Sequence, residues 1–302
     1  MIKLPFGVEI KSLIDDLRVF SWEASESLLY YSQILKDSNN KSNILRNNNI
    51  DDPVTIADLT VNKIIIQRIN EKYKDIDWEI LSEENVKVCS PNHSKSFDWV
   101  WVLDPLDGTK DFIQGTSNYA MHLGLNYKQK PYLGVVLIPE KGELWISNGE
   151  KTWLERRDGS LLKTNLNEKK GLEDMTLVTS KNHGNETLSN LIDKVGFKKV
   201  KIMGSIGCKI ASILRGESDI YICLSLPGKS APKDWDFSAP EAVLVAAGGA
   251  ITNLDNKQLS YGKDNFEHGG VIIATNNSLT HQSVCSEIQE IIKKYDLYPL
   301  KF

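Results

Sequence analysis

Between Tyr119 and Glu155 the chain passes through four short apolar segments, each of which ends at turn-forming or charged residues. The segments are YAMHLGLNY, YLGVVLI, ELWISN and KTWLER, and the breaks between them hold Lys130-Pro131, Lys141-Gly142 and Asn148-Gly149. Apolar runs of strand length that are separated by tight turns are typical of consecutive antiparallel strands. The pattern therefore predicts an antiparallel meander and restricts the chain to folds that contain one.

Helical periodicity dominates the region before this meander. Apolar residues at helical spacing predict one amphipathic helix over residues 10–37 and a second over residues 57–73. The polar tract 38–49 between them is expected to form a surface loop. Two further apolar runs, 78–81 and 99–103, have strand character, and both end abruptly in acidic residues.

After the meander, strand-like runs alternate with helical segments. The polar segment 161–174 is the best candidate boundary, which divides the chain into an N-terminal lobe (1–165) and a C-terminal lobe (166–302). Helices are predicted in the second lobe near residues 185–195, 207–215, 237–247 and 279–294. This alternation predicts a mixed α/β lobe, so the fold class of the whole chain is α/β, built from layers of helices and sheets.

Composition excludes several other classes of protein. The chain has 302 residues, of which 41% are apolar and 25% charged, and a net charge of -4, so disorder and attraction to a nucleic acid polymer are not expected. The four cysteines are scattered, which indicates neither a disulfide framework nor a zinc site. The sequence has no apolar run of membrane-spanning length and no signal-peptide core, so a cytoplasmic protein without a membrane span is expected.

Acidic residues gather where predicted strands end or predicted helices begin. The clusters lie in the segments Asp51 to Asp58, Leu81 to Glu84, Trp101 to Thr109 and Asp234 to Asp236. Helix capping or turn formation would explain any one of them. Taken together they indicate a cation site, because clustered carboxylates repel each other unless a cation neutralises them.

The types of ligand favour Mg²⁺, which prefers hard oxygen donors to His or Cys. Asp104 and Asp107, three residues apart, can converge on one metal pair, and the turn between them exposes the Leu106 carbonyl. Gly108 and Thr109 follow directly and offer backbone N–H groups to an anion. A metal site built from carboxylates, with an anion site beside it, predicts an enzyme that acts on a phosphate group by in-line displacement.

Competing phosphate and metal motifs are absent from the sequence. The chain has no G-x-x-x-x-G-K-[ST] loop, no EF-hand pattern and no zinc-type histidine spacing. The spacing D-x-x-D-G-T differs from the D-x-D-G-T of phosphatases that form an aspartyl-phosphate. A covalent mechanism is therefore not expected.

These motifs resemble those of the inositol-monophosphatase-like superfamily, which are Mg²⁺-dependent, lithium-sensitive phosphomonoesterases. The family motif D-P-[LI]-D-G-T-x-x-[FY] is present as Asp104 to Phe112, P-V-T-x-A-D as Pro53 to Asp58, E-E as Glu83-Glu84 and W-D as Trp235-Asp236. Order and spacing match over roughly residues 50 to 250. The resemblance implies an αβαβα sandwich with a mixed or antiparallel N-terminal sheet and a second mixed sheet.

Within the superfamily, Lys110-Asp111-Phe112 is similar to the 3'(2'),5'-bisphosphate nucleotidase branch, the CysQ-type phosphatases. This implies hydrolysis of the 3'-phosphate of adenosine 3',5'-bisphosphate (PAP) to AMP, with the sulfated nucleotide PAPS as a second candidate substrate. The segment 204–209 is also similar to members linked to inositol phosphate and fructose-1,6-bisphosphate hydrolysis. Those activities form the nearest alternative, and a non-catalytic Mg²⁺- or nucleotide-binding regulator is an alternative of another class.

The resemblance also implies a role for each matching residue. The residues expected to ligate two or three Mg²⁺ ions are Glu83, Asp104, Leu106 (through its carbonyl), Asp107 and Asp236. Asp58, Glu83 and Thr109 would position the attacking water. The expected substrate contacts are Gly108, Thr109, Lys110, His183, Ser205, Lys209 and Asp236.

The chain departs from the family pattern at three positions around the substrate. Asn48 and Asp52 stand where Lys and Ser are common, and Ile206 stands where eukaryotic nucleotidases have Ser. These departures concern substrate recognition rather than the metal site. The resemblance also makes a homodimer a candidate assembly.

Overall fold

A computed structural model describes residues 2–36, 55–88, 97–164, 169–180 and 186–299. Its helices and sheets stack in five layers, in the order helix, sheet, helix, sheet, helix. The predicted α/β class and the αβαβα sandwich are confirmed.

The described helices and strands follow the predicted order closely. The helices are α1 (Ile10–Lys36), α2 (Ile56–Lys72), α3 (Glu83–Val88), α4 (Thr109–Ile113), α5 (Glu186–Val195), α6 (Ile206–Leu214), α7 (Asp234–Ala246) and α8 (Ser278–Tyr295). The strands are β1 (Glu79–Ser82), β2 (Trp99–Asp107), β3 (Ala120–Tyr127), β4 (Lys130–Ile138), β5 (Glu143–Ser147), β6 (Thr152–Arg156), β7 (Leu161–Lys163), β8 (Thr176–Thr179), β9 (Lys199–Ile202), β10 (Ile220–Ser225), β11 (Ala250–Asn253) and β12 (Gly270–Thr275).

Helices α1 and α2 form one outer layer. Their apolar stripes, which include Leu13, Leu17, Leu28, Val61 and Ile65, are fully buried against the first sheet. Burying the stripe of an amphipathic helix on a sheet is what stabilises such a layer. The two predicted helices are confirmed to within a residue at each end, whereas the predicted loop 38–49 lies outside the described residues.

The first sheet contains seven strands in sequential order, β1 to β7. Strands β2 to β7 pair antiparallel, so the predicted meander is confirmed, and β1 joins β2 in parallel. Because β1 and β2 are parallel, their carboxyl ends lie at the same edge of the sheet. The helices α3 and α4 begin at this edge.

The central layer consists of α6 and α7, which pack between the two sheets. Two glycines of the meander allow α7 to approach closely, since a Cβ on Gly134 would lie 2.6 Å from the Ala239 carbonyl oxygen, and one on Gly124 would clash with Ser238. Residues of the first sheet and of the central helices share one buried core. The division of the chain at residue 165 stays a prediction.

The second sheet is mixed, with strand order β11-β12-β10-β8-β9, and α5 and α8 cover its outer face. The alternation predicted for this half is confirmed. Helix α7 begins at Asp234, three residues before the predicted start near 237, and this places Asp236 in its first turn. No helix in the described part of the chain is both long and apolar enough to cross a membrane.

Candidate active site

A cavity of about 790 Å³ opens beside the central helices α6 and α7. Its walls come from the carboxyl end of β2, from the first turns of α3, α4 and α7, from α6 and β10, and from segment 264–266. Acidic residues from three clusters that are far apart in the sequence, at positions 83, 104–107 and 236, converge here. Residues of the metal and phosphate motifs line the wall, namely Glu83, Asp104, Leu106, Asp107, Gly108, Thr109 and Asp236.

Three carboxylates form the centre of the site. One oxygen from each of Asp104, Asp107 and Asp236 lies within 4.8 Å of the others. A register shift in the pairing of β2 with β3 falls between Asp104 and Asp107, and this irregularity accompanies the convergence of both side chains on the cavity. The Glu83 carboxyl group, at the start of α3, is within hydrogen-bonding reach of Asp104.

Burial makes this cluster electrostatically unfavourable without a cation. It raises the pKa of Asp104 well above its ordinary value, and the charges of Glu83, Asp107 and Asp236 raise it further. The pKa of Asp236 is raised well above its ordinary value for the same reason, burial first and the charge of Asp107 second. Burial also raises the pKa of Glu83 to about 7. Such groups become stable as carboxylates when a cation is bound among them.

The donor set fits a hard divalent cation. All three clustered side chains offer carboxylate oxygens, and the Leu106 carbonyl lies on the same stretch of β2. Oxygen-only donors suit Mg²⁺ better than Zn²⁺ or Cu²⁺. Within the described residues, the Lys87 ammonium lies 3.0 Å from Glu83 Oε1 and 3.3 Å from Glu84 Oε1, so it compensates one side of the cluster.

Thr109 and Asp58 form a second functional unit beside the carboxylates. Thr109 Oγ1 lies 3.0 Å from the Leu106 carbonyl oxygen and 3.4 Å from Asp58 Oδ1. Asp58 is held by a capping box at the start of α2, where its Oδ2 accepts hydrogen bonds from Thr55 N at 2.7 Å and Thr55 Oγ1 at 2.5 Å. Oδ1 therefore remains directed to Thr109, and burial raises the pKa of Asp58 to about 7.

Asp107 is anchored by the start of α6. Its Oδ2 accepts hydrogen bonds from Ser205 Oγ at 2.6 Å, from Ile206 N at 2.5 Å and from Gly207 N at 3.3 Å. Ser205 is the N-cap of this helix and also accepts from Cys208 N. The Ser205 hydroxyl is thus engaged by a site carboxylate, and its contact with substrate stays a prediction.

The predicted phosphate and substrate residues are only partly brought together. Gly108 has a φ of +88°, and a Cβ there would lie 2.8 Å from the Asn118 carbonyl oxygen, so this turn requires glycine. Lys110 and Lys209 line the cavity. Lys209 is only 1% exposed, its ammonium donates to the Gly204 carbonyl and lies 5.4 Å from the ring centroid of Tyr221. His183 lies outside the described residues.

Several cavity residues carry no sequence signal that identified them in advance. These residues are Lys87, Met203, Tyr221, Cys223, Lys233 and Phe266. Lys233 precedes Asp236 by three residues at the start of α7, and its backbone N–H donates to Asp236 Oδ2 at 2.5 Å. Phe266 reaches the site through tertiary packing against Trp235.

Comparison with known proteins identifies the family. The sequence model of the inositol monophosphatase family matches residues 17–293. The chain belongs to the inositol monophosphatase family. Its metal and phosphate motifs therefore stand in a phosphatase fold, as the sequence predicted.

Individual relatives agree with this family assignment. The chain is 32% identical over 212 residues to "3'(2'),5'-bisphosphate nucleotidase CysQ" of Buchnera aphidicola, covering 69% of this chain and 74% of that protein. It is 28% identical over 253 residues to a protein of the same name from Aggregatibacter actinomycetemcomitans, covering 83% and 88%. The crystal structure of the extragenic suppressor protein suhB from Bartonella henselae shares the fold, with a TM-score of 0.71 at 20% identity, covering 94% of this chain and 99% of that chain.

Proposed function

We propose that this member of the inositol monophosphatase family is a Mg²⁺-dependent phosphomonoesterase that hydrolyses the 3'-phosphate of PAP, giving AMP and phosphate. The observation that carries the proposal is the cluster of Asp104, Asp107 and Asp236 oxygens in the wall of a 790 Å³ cavity. The names of the CysQ relatives support the nucleotide as substrate. PAPS is the second candidate substrate, since it carries the same 3'-phosphate.

Glu83, Asp104, the Leu106 carbonyl, Asp107 and Asp236 would hold two or three Mg²⁺ ions, because these oxygen donors share one wall of the cavity. When bound, the ions supply positive charge that acidifies a water molecule and stabilises the leaving oxygen.

The side chains of this protein position the reacting groups. Thr109 donates its hydroxyl proton to Asp58 Oδ1 or to the Leu106 carbonyl, and its oxygen is then free to accept a hydrogen bond from the attacking water. Glu83 borders the same space and accepts from that water as well. The backbone N–H groups of Gly108 and Thr109 bind the phosphate, and no covalent enzyme intermediate forms.

Lys209 favours a substrate with a second anionic group. Its buried ammonium has three donors, one of which is used by the Gly204 carbonyl, and it borders the cavity. Burial lowers the pKa of Lys209, and an anion bound there would stabilise the charged form. A bisphosphate of a nucleotide or of a sugar provides that second anion, whereas an inositol monophosphate does not, and the names of the CysQ relatives favour the nucleotide.

The deciding experiment measures phosphate release with Mg²⁺, with and without Li⁺, from four substrates: PAP, PAPS, inositol 1-phosphate and fructose 1,6-bisphosphate. We expect PAP to be preferred. Preference for inositol phosphate or the sugar bisphosphate would support the alternative activity. Release from none of the four would contradict the proposal and favour a non-catalytic binding protein.

A Lys209→Met variant tests the specificity argument. Removing the ammonium should raise KM for PAP by about 10-fold or more, because an interaction with a charged group is lost, while inositol 1-phosphate turnover should change little. Equal losses on both substrates would show that Lys209 has only a structural role. The cytoplasmic location and the homodimer stay predictions from the sequence.

A further inference from the structure

Tyr221 is a buried aromatic residue of the cavity wall that has no role in the proposed chemistry. It lies on β10, where Ile220 and Ile222 pack on the side of the outer helices, whereas Tyr221 and Cys223 pack on the side of the central helices. Because side chains alternate between the two faces of a sheet, this register turns the Tyr221 ring towards α6. The residue of α6 that it meets is Lys209.

The Lys209 ammonium is buried, and its nearest partners are not carboxylates. It donates a hydrogen bond to the Gly204 carbonyl, and within the described residues it forms no salt bridge. Its Nζ lies over the ring of Tyr221, 5.4 Å from the ring centroid. The face of an aromatic ring carries negative potential and attracts a cation within about 6 Å of the centroid, more strongly where water is excluded. The ring therefore supplies part of the stabilisation that this buried charge needs.

The backbone carbonyl that accepts from Lys209 is held in place by its surroundings. A Cβ on Gly204 would lie 2.7 Å from the Asn118 carbonyl oxygen and would overlap the Asp111 carboxylate, so the chain fits closely at this point. The anchored carbonyl and the face of the Tyr221 ring together restrict where the ammonium can lie. Since an ammonium has three donors, two remain for an anion in the cavity.

We propose that Tyr221 is a positioning residue for bisphosphate recognition, whose ring face holds the Lys209 ammonium at the cavity wall where it meets the second anionic group of the substrate. Tyr221 acts through Lys209, and its hydroxyl needs no contact with the substrate. The inference rests on the proposed function, because it requires Lys209 to contact a second phosphate.

The test separates the ring from its hydroxyl. Tyr221→Phe keeps the aromatic face, whereas Tyr221→Leu removes it. KM for PAP should rise about 5-fold at nearly unchanged kcat in the Leu variant and stay within about 2-fold of wild type in the Phe variant. The kcat/KM for adenosine 3'-monophosphate, which lacks the second phosphate, should change little in either variant. Tyr261→Leu is the matched control, because Tyr261 is a buried tyrosine of the same core that lies outside the cavity wall, so its loss affects stability and not KM.

A double variant tests whether Tyr221 acts through Lys209. In the Lys209→Met background the ammonium is gone, and Tyr221→Leu should raise KM for PAP no further. Three results would each overturn the inference: a further increase of KM in the double variant, an unchanged KM in the Leu variant, or a Phe variant as impaired as the Leu variant.

A graded set of rings at position 221 tests the attraction without removing bulk. Fluorine atoms weaken the negative potential of the ring face, so KM for PAP should rise in steps from phenylalanine to difluorophenylalanine to trifluorophenylalanine. A KM that does not depend on fluorination would overturn the inference even if the Leu variant failed to fold. All of these results leave the proposed function intact as long as the wild-type protein releases phosphate from PAP. A wild-type protein that releases none would overturn both.

Discussion

Buried carboxylates occur in two regions of this molecule and are held in opposite ways. Asp219, which is 1% exposed beside the second sheet, accepts hydrogen bonds from Lys170 Nζ at 2.9 and 3.0 Å, from Thr176 N at 2.8 Å and from Asn276 Nδ2 at 3.3 Å. Asp104 is as deeply buried, but its closest charged neighbours are other carboxylates. The protein itself neutralises Asp219, whereas the pKa of Asp104 stays raised unless a cation binds among the carboxylates.

The same contrast occurs within a single helical turn. Asp234 and Asp236 both lie in the first turn of α7. Asp234 pairs with His268 Nε2 at 2.8 Å and accepts from Gly262 N at 2.7 Å, while Asp236 belongs to the carboxylate cluster. Burial alone therefore does not distinguish a functional carboxylate from a structural one. The two aspartates differ in their neighbours, because Asp234 pairs with His268, whereas the negative charges of Asp107 and Glu83 act on Asp236.

The largest expected effect comes from Asp107→Asn. Removing this carboxylate charge should reduce phosphate release by about 1,000-fold or more, equivalent to about 4 kcal/mol of transition-state stabilisation. The metal-free variant should melt close to the wild-type temperature, because removal of one repelling charge offsets the weaker hydrogen bonds that an amide oxygen accepts from the start of α6. Phosphate release at a fixed Mg²⁺ concentration, together with thermal melting, checks both parts. Near-normal turnover would show that the metal assignment is wrong.

The next effect is stabilisation by the metal itself. At 100 times its Kd, Mg²⁺ should raise the free energy of unfolding by about 2.7 kcal/mol. Asp104→Asn should lose most of this gain because it removes a ligand, and Asp219→Asn should keep it. Denaturant unfolding with Mg²⁺ and with a chelator measures the difference. An equal gain in both variants would mean that the ion binds elsewhere.

Much of this fold could be predicted from the sequence because its signals are local. The meander follows from turns that close within a few residues, and α1 follows from the spacing of Leu13, Leu17 and Leu28. The convergence of Glu83 and Asp104 also has a local basis, since Glu83 directly follows β1 and Asp104 directly follows the part of β2 that pairs with β1 in parallel. Side chains at the carboxyl ends of parallel strands lie at the same edge of a sheet. In the sequence, these ends are visible where apolar residues give way to acidic ones.

Features that depend on packing between distant elements could not be predicted. His122 Nε2 lies 3.3 Å from Asp107 Oδ2 because β3 pairs with β2 across the register shift between Asp104 and Asp107. Gly207 also contributes, since the lack of a side chain there lets α6 pack against the His122 ring. Lysine in a helix is usually exposed to solvent. Lys209 is buried because α6 is enclosed between two sheets. Neither outcome depends on residues adjacent in the sequence.

A smaller effect is expected where the protein already supplies the partner. Asp219→Asn should lower the free energy of unfolding by about 1–3 kcal/mol, because the Lys170 ammonium and the Thr176 N–H lose their charged acceptor. Activity per folded molecule should remain at the wild-type level, since Asp219 lies outside the cavity wall. Urea denaturation and turnover measured on the same preparation check this. A loss of activity that exceeds the loss of folded protein would contradict the contrast between the two regions.

The smallest effect concerns a change of one pH unit near neutrality. A carboxyl group whose pKa is raised by folding keeps its proton in the folded state where the unfolded chain has lost it, so the folded state loses stability as pH rises. Asp58, Glu83 and Glu241 all have pKa values raised to about 7 by burial, and the loss should therefore occur between about pH 4 and pH 7 in the metal-free protein. Between pH 6 and pH 7, each should contribute about 1 kcal/mol at most.

Variants and metal separate these three contributions. Asp58→Asn keeps an oxygen that can cap α2 but cannot ionise, so the slope of stability against pH should become shallower. Glu241→Gln should reduce the slope similarly, because Glu241 is half-buried and has only Tyr261 as its hydrogen-bond partner in the described structure. Mg²⁺ should remove the contribution of Glu83, a proposed ligand, to the pH dependence of stability. It should leave the contribution of Glu241 unchanged. If Mg²⁺ also removed the contribution of Glu241 to the pH dependence of unfolding, the ion would act on groups outside the carboxylate cluster. That outcome would contradict the comparison between the two regions.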